Sequence, residues 1–204
     1  MSNNYFLSVM SAFLLPSVAL CQLGAPGGEW PTYGGDLGHT RYSALDQIDS
    51  SNFSELEVAW TFDAANFGPS PEYRYQSTPL MINGRVFTTA GSRRAVVSLD
   101  AKTGEILWMH SLDEGERGEY APRQLSGRGL AYWVSEDGSE ERVIYVTPGY
   151  RMIALDAVTG NPVASFGDNG IVDLKQDADQ QIDLITGEIG LHSTPIVAKD
   201  VVIV

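Results

Sequence analysis

The chain has 204 residues, a net charge of −13 at pH 7, and 43% hydrophobic residues. So strong a negative charge opposes binding to nucleic-acid phosphates and to anionic lipid surfaces, so we expect no nucleic acid partner. The only cysteine is Cys21, which excludes a disulfide bond within the chain.

The N-terminal segment, residues 5–21, contains no charged side chain. It is short for a membrane-spanning helix but suits the apolar region of a secretory signal peptide, with small residues near Cys21 for cleavage. We therefore predict a signal peptide over residues 1–21, a domain over residues 22–204, a periplasmic location and no integral membrane span. Two alternatives remain: a lipoprotein anchor at Cys21, and a buried N-terminal strand or helix.

Short runs of β-branched and apolar residues follow in the middle of the chain, and each predicts a strand. They are Arg85–Ala90, Ala95–Asp100, Arg142–Thr147 and Met152–Asp156. Asn83-Gly84 predicts a hairpin turn, because both residues tolerate positive φ. No stretch shows a long apolar period of 3.6 residues, so we expect little helix.

Two motifs recur along the chain. Leu-Asp-Ala-x-Thr-Gly begins at Leu99 and again at Leu155, 56 residues later, and Ser-Thr-Pro begins at Ser77 and at Ser193, 116 residues later. In the first motif the aspartate can accept backbone hydrogen bonds, and the glycine can adopt the left-handed conformation. One shared period, with about four strands in each unit, predicts the blades of a β-propeller. A β-sandwich with two similar hairpins is the alternative.

The region from Trp30 to Val204 contains about three such periods, whereas about 4 to 8 blades are needed to close a ring. The final residues, "DVVIV", also have the pattern of a strand. We therefore expect an all-β fold that is the N-terminal part, about three blades, of a larger propeller in a longer protein.

Three further features have structural interpretations. Trp108 is expected to pack between two blades, because a buried indole contributes a large apolar area. The acidic stretch Asp177–Glu188 superficially resembles a calcium loop, but its sixth position is Ile182 rather than glycine, so we predict a solvated loop. Arg117, within the charged sequence "DEGERGE", is expected to be exposed.

Arg128 is a candidate ligand-binding residue. It lies in "SGRGLAYW", between Gly127 and Gly129. Glycines allow close approach of the backbone to another group, and arginine is a planar donor that suits carboxylates. An ordinary surface arginine is the alternative interpretation. Gln76, which precedes the first Ser-Thr-Pro, is ambiguous in the same way.

The repeats and four other segments together resemble the quinoprotein dehydrogenases, which are exported enzymes that use pyrroloquinoline quinone (PQQ). The segments are "WPTYGGDLGHTRYSALDQI" from Trp30, "LEVAWTF" from Leu56, "GRGLAYW" from Gly127 and "FGDNGIVDL" from Phe166. The resemblance covers residues 30–204. It implies an eight-bladed propeller with PQQ on its axis and a calcium ion beside the quinone. It also implies an aspartate general base that takes the substrate hydroxyl proton while hydride passes to the quinone.

The resemblance also implies roles for individual residues. Gln76 would contact the edge of the quinone, Arg128 would pair with a cofactor carboxylate, and the neighbouring glycines would let the backbone pass close to PQQ. His192 stands where relatives often have a cofactor-contacting threonine. The methanol dehydrogenase branch has adjacent cysteines where this chain has Pro122 and Arg123, so cofactor stacking must differ. No catalytic or metal-binding residue is expected before Val204.

The implied function is PQQ-dependent oxidation of a sugar of the glucose type, or of an alcohol, with electrons passed to a respiratory quinone or to cytochrome c. The alternative is a non-catalytic propeller of the same repeats that acts as a binding or assembly scaffold. Arg128 and Gln76 favour the enzyme, because a scaffold does not need cofactor-binding groups.

The signal peptide gives the first testable prediction. The protein isolated from its native host should begin near Cys21 and be periplasmic, because the uncharged segment before it is removed on export. N-terminal sequencing of the mature protein measures this directly. An intact Met1 on a cytoplasmic protein would contradict the prediction.

Overall fold

A computed structural model of the protein describes residues 24–189 and 193–204. The predicted signal peptide lies outside the described residues. The strands in the described part of the chain are β1 (Leu80–Ile82), β2 (Arg85–Ala90), β3 (Ala95–Asp100), β4 (Ile106–His110), β5 (Ala131–Val134), β6 (Glu141–Val146), β7 (Arg151–Asp156), β8 (Ile171–Asp173), β9 (Ile196–Ala198) and β10 (Val201–Ile203). The helical segments are one turn of helix, α1 (Glu116–Glu119), and two 3₁₀ turns, Pro26–Gly28 and Phe53–Glu55. Within these residues no helix is both long and apolar enough to cross a membrane.

The strands form successive antiparallel meanders. β1-β2-β3-β4 make one four-stranded sheet and β5-β6-β7-β8 make the next, while β9 and β10 pair as the start of a third. β9 and β10 each begin 116 residues after β1 and β2, which is the spacing of the Ser-Thr-Pro motif. After residues 24–79, which contain none of these strands, the described part therefore contains two complete blades and the first hairpin of another. This agrees with the predicted all-β repeat.

The predicted turns have the conformations that their residues favour. Asn83 and Gly84 join β1 to β2 with φ angles of 49° and 73°. Asp100 Oδ1 accepts hydrogen bonds from the amides of Lys102 and Thr103 at 2.9 and 2.8 Å, and Gly104 has a φ of 74°. These bonds, above all the one from Thr103, hold the pKa of Asp100 below its usual value.

The acidic stretch contains a third copy of this turn, which the sequence alone did not reveal. Asp183 Oδ1 accepts hydrogen bonds from the amides of Ile185 and Thr186, at 2.9 and 2.7 Å, just as Asp100 does in the first repeat. Most side chains of this stretch are exposed, as predicted for a loop. Among the described residues no group of three or more His, Cys, Asp or Glu could hold a metal ion.

Apolar side chains fill the spaces between the sheets. The largest cluster joins the facing sides of the two complete blades, and its buried members include Leu80, Phe87, Leu130, Tyr145 and Leu155. A second cluster packs the other face of the second blade against β9 and β10. A third covers the opposite face of the first blade with side chains from residues 60–67. Both faces of each complete blade are thus packed.

Two of the Asp-x-x-Thr-Gly turns are each covered by a tryptophan from an earlier part of the chain. Trp108 Nε1 donates to the Ala157 carbonyl at 3.1 Å, and a Cβ added to Gly160 would lie 2.5 Å from the indole ring. Trp60 makes the same hydrogen bond to Ala101, also at 3.1 Å, over Gly104. The glycine is therefore required both for its positive φ and for the space that the indole occupies. This confirms the predicted packing of Trp108 between blades.

Arg117 is buried rather than exposed, so the sequence interpretation was wrong. Its side chain is 3% exposed and makes two hydrogen bonds to the Asp173 carboxylate, at 2.7 and 2.6 Å. Its Nε also donates to the Gly149 carbonyl at 2.6 Å. Arg117 follows β4 of the first blade, and its partners belong to the second, so the ion pair joins the two blades. The Arg117 hydrogen bonds hold the pKa of Asp173 below its usual value.

The burial of Arg117 predicts a large effect on stability. Arg117→Ala leaves Asp173 as an uncompensated, largely buried charge, so we expect it to lower the free energy of unfolding of the complete protein by about 3–5 kcal/mol. Arg93→Ala is the matched control: Arg93 pairs with Asp113 on the surface, where both side chains are exposed, and should cost about 0–1 kcal/mol. Urea denaturation measures both. Equal losses would mean that the Arg117 pair contributes no more than a surface pair.

His110 predicts a dependence of stability on pH. Its ring packs edge-on against Tyr145 of the next blade, and burial lowers its pKa below the usual 6.5. On lowering the pH, His110 therefore takes up a proton at a higher pH in the unfolded chain than in the folded protein. Stability is full above about pH 6.5 and declines as the pH falls from there toward the lower pKa of the folded state.

His110→Phe keeps an aromatic ring against Tyr145 but removes the titrating group, so its melting temperature should fall less than that of the wild type between about pH 7 and pH 5. Thermal melts at several pH values measure this. His39→Asn changes an exposed histidine and serves as the control. Parallel curves for wild type and His110→Phe would contradict the prediction.

Candidate functional site

Three chain segments lead into the first strands of the three units, β1, β5 and β9, which we take as the innermost strands. All three segments lie at the same end of these strands. These entry segments are residues 74–79 before β1, 121–130 before β5 and 193–195 before β9. The innermost strands of a propeller surround its central axis, so the entry segments meet near that axis. The turn between β2 and β3 lies at the same end, because Ser77 Oγ is 2.8 Å from Thr89 Oγ1 near the end of β2.

The backbone of Arg128 joins all three entry segments. Its carbonyl accepts a hydrogen bond from the Thr78 amide at 3.0 Å and another from Thr194 Oγ1 at 3.2 Å. Thr78 and Gly129 also form a parallel β-bridge. The position of the Arg128 backbone is therefore determined by contacts from the first and third units as well as its own.

A cavity of about 430 Å³ opens where these segments meet. Among the described residues the lining includes four arginines and no carboxylate; the residues are Arg74, Gln76, Arg94, Pro122, Arg123, Leu125, Gly127, Arg128 and Ser193. Four arginines face one cavity in a chain whose net charge is −13. Like charges brought together in this way repel each other, and an anion in the cavity would relieve that repulsion.

A buried carboxylate and a partly buried guanidinium hold the loop that carries Arg123 and Arg128. Glu72 Oε1 accepts hydrogen bonds from the amide and the hydroxyl of Ser126, both at 2.9 Å. From the other side, Arg94 donates Nε to the Leu125 carbonyl at 3.1 Å. Its Nη1 reaches the Val146 carbonyl at 2.7 Å, in the second blade. Burial lowers the pKa of Arg94 to about 10, so its guanidinium is still charged at neutral pH.

The structure brings together two of the three predicted site residues. Gln76 and Arg128 line the same cavity and both are exposed to it. His192 lies outside the described residues, although the adjacent Ser193 lines the cavity.

The two glycines beside Arg128 each lie close to another part of the protein. A Cβ on Gly127 would lie 2.6 Å from Arg94 Nε, so this glycine makes room for a protein side chain. A Cβ on Gly129 would lie 2.9 Å from the Thr78 carbonyl, so that glycine permits the backbone bridge between blades. Both glycines have positive φ. Both glycines therefore shape the loop, and a role in close approach to a ligand stays a prediction.

Sequence reasoning missed Arg74 and Arg94 as cavity residues and noted Arg123 only for replacing a cysteine. The order of the repeat contains a signal for Arg94, because the turn between the second and third strands of a blade lies at the same end as the start of the first strand. The sequence "GSRRAVV" therefore places an arginine at the end of the first blade where the entry segments lie. Arg74 lies two residues before Gln76 in the same extended segment.

The cavity suits a rigid ligand with several carboxylates. PQQ carries three carboxylates, and each would otherwise be costly to remove from water. Arginine presents a planar fork that binds a carboxylate through two parallel hydrogen bonds. Besides Arg94, which binds backbone carbonyls, three arginines line the cavity. The residues present therefore fit this cofactor.

Successive four-stranded blades define this chain as part of a β-propeller, and its entry segments surround a cavity lined by arginines. The PQQ family model, described as the β-propeller domain of glucose/ethanol/alcohol dehydrogenases, matches residues 30–204. The chain belongs to this family.

Individual relatives agree with the family assignment. The glycerol dehydrogenase large subunit of Gluconobacter oxydans is 28% identical over 93% of this chain and 26% of its own length. The dehydrogenase subunit of the alcohol dehydrogenase (quinone) of the same organism is 37% identical over 70% of the chain and 17% of its own length. The crystal structure of quinohemoprotein alcohol dehydrogenase from Comamonas testosteroni superimposes with a TM-score of 0.62 and 26% identity, over 85% of this chain and 22% of that one. The predicted quinoprotein propeller fold is thereby confirmed.

Proposed function

We propose that this chain is the opening part of an eight-bladed, PQQ-dependent dehydrogenase, and that the axial cavity binds the carboxylates of the cofactor. The observation that carries the proposal is the set of four arginines lining one axial cavity in an acidic chain. Bound PQQ supplies the oxidant, a quinone that accepts hydride from a substrate carbon bearing a hydroxyl group. The proposed substrate is a sugar of the glucose type, or an alcohol.

The residues of this chain bind and orient the cofactor. The guanidinium of Arg128 would bind one carboxylate. Because contacts from three units already hold the Arg128 backbone, little backbone conformational entropy is lost on binding. Gln76 provides an amide that can donate to a quinone oxygen from the neighbouring entry segment, and His192 would approach from the third.

The remaining parts of the site belong to later blades of the complete protein. We propose that these supply the calcium ligands and the aspartate general base, and that electrons leave to a respiratory quinone or to cytochrome c. Export through residues 1–21 would place the enzyme in the periplasm. Domain boundaries of 1–21 and 22–204 follow from this proposal.

A scaffold propeller is the other candidate from the sequence. The arrangement of charge favours the enzyme, because a protein-binding surface does not require four arginines around one cavity between the entry segments. Their mutual repulsion is a cost that an anionic cofactor offsets.

Arg128 provides the direct test. Arg128→Ala in the complete protein should weaken PQQ binding by about 2–4 kcal/mol, because it removes one partner of a desolvated charge pair. Arg128→Lys should restore only part of the affinity, since an ammonium cannot form the two parallel bonds. The measurement is a titration of apoprotein with PQQ in the presence of calcium, followed by ligand fluorescence and by activity.

Arg41→Ala is the charge-matched control, because Arg41 is exposed and does not line the cavity. Equal PQQ affinity for wild type and Arg128→Ala would contradict the assigned role of Arg128. No PQQ binding by the wild type would contradict the proposed function.

A further inference from the structure

The side chain of Arg128 and its backbone are held very differently. In the described part of the chain, the guanidinium of Arg128 makes no hydrogen bond to protein and faces the cavity. The backbone around it has no helix or strand from Ala121 to Gly129. A loop without regular structure must be fixed by other contacts if one of its side chains is to bind a ligand in a defined orientation.

Glu72 and Arg94 supply those contacts from opposite sides. Glu72 is 6% exposed and binds Ser126, which is fully buried, through both the backbone amide and the hydroxyl. Arg94 binds the Leu125 carbonyl at 3.1 Å and reaches the Arg123 carbonyl at 3.5 Å. Two residues of opposite charge thus hold the two polar ends of one peptide group, the one between Leu125 and Ser126. We call this pair the Glu72–Arg94 clamp.

The rest of the loop is adapted to the clamp. Gly127 has no side chain, and any Cβ there would overlap the Arg94 guanidinium. Arg94 itself has a φ of 55°, a conformation that is uncommon for a residue with a side chain. Its third hydrogen bond, to the Val146 carbonyl, fixes the guanidinium to the second blade. The positive φ of Arg94, its hydrogen bonds to three carbonyls and the missing side chain of Gly127 all support the packing of the Arg94 guanidinium against the loop.

We propose that the Glu72–Arg94 clamp is a positioning device for cofactor binding: it fixes the loop of residues 123–128 before the ligand arrives, so that Arg128 presents its fork to the cavity. Arg94 is therefore a positioning residue that acts through Arg128, although it also lines the cavity. The link to PQQ rests on the proposed function, whereas the effect on the loop does not.

The first experiment measures the loop in the complete apoprotein by hydrogen exchange. Arg94→Lys retains the charge but cannot make the three-way fork, and Gly127→Ala displaces the guanidinium from the other side. Both should raise the exchange rate of a peptide covering residues 123–129 by about tenfold, while peptides from β6 and β7 exchange as in the wild type. Arg93→Lys is the control, because it makes the same change at the adjacent, exposed arginine.

The second experiment is a double-mutant cycle for PQQ affinity. If Arg94 acts through Arg128, Arg94→Lys alone should weaken binding about tenfold, and Arg94→Lys combined with Arg128→Ala should bind no more weakly than Arg128→Ala alone. Losses that add would mean that Arg94 contacts the cofactor independently, which overturns the positioning role.

The two experiments separate the two proposals. Unchanged loop exchange in both Arg94→Lys and Gly127→Ala overturns the clamp, whatever the PQQ affinity. If the wild type binds no PQQ, the proposed function fails, and the exchange rates alone decide whether the clamp fixes the loop. If Arg94→Lys does not fold, Gly127→Ala and Glu72→Gln carry the same test, since each disturbs the clamp from a different side.

Discussion

The packing of an indole on a glycine turn is the contact on which the spacing of the blades depends. Trp60 and Trp108 each donate one hydrogen bond to a backbone carbonyl, and each covers a glycine that has no room for a side chain. Because the acceptor is a main-chain group, the contact fixes distance and orientation between neighbouring sheets independently of most side chains. With that spacing set, the segments entering the innermost strands are held side by side, and the cavity arginines are brought together.

Much of the fold could be predicted from local sequence. Two strands, Arg85–Ala90 and Ala95–Asp100, begin and end where their β-branched runs do, and the Asn83-Gly84 turn follows from the backbone freedom of its residues. The third Asp-x-x-Thr-Gly turn was missed because it lies within an acidic stretch. Its Asp183 makes the same hydrogen bonds as Asp100, but neither a tryptophan nor an obvious strand marks it in the sequence.

The site could be predicted only in part, for a physical reason. Gln76 and Arg128 lie in short motifs that can be recognised in the sequence. The roles of Arg94 and Glu72, by contrast, depend on hydrogen bonds to residues 31 and 54 positions further along the chain. Arg117 was misread for the same reason. A charged loop is normally solvated, and nothing near Arg117 indicates that Asp173, 56 residues later, will pair with it in the interior.

The carbonyl of Arg128 accepts hydrogen bonds from the segments that lead into the first and third units, while its side chain faces the cavity. A small rotation of one blade relative to the next therefore changes the direction of the guanidinium. By thermodynamic linkage, a ligand that immobilises that guanidinium must also resist the rotation. Binding of a ligand in the axial cavity and the rigidity of the contacts between neighbouring blades are consequently coupled, so each should strengthen the other.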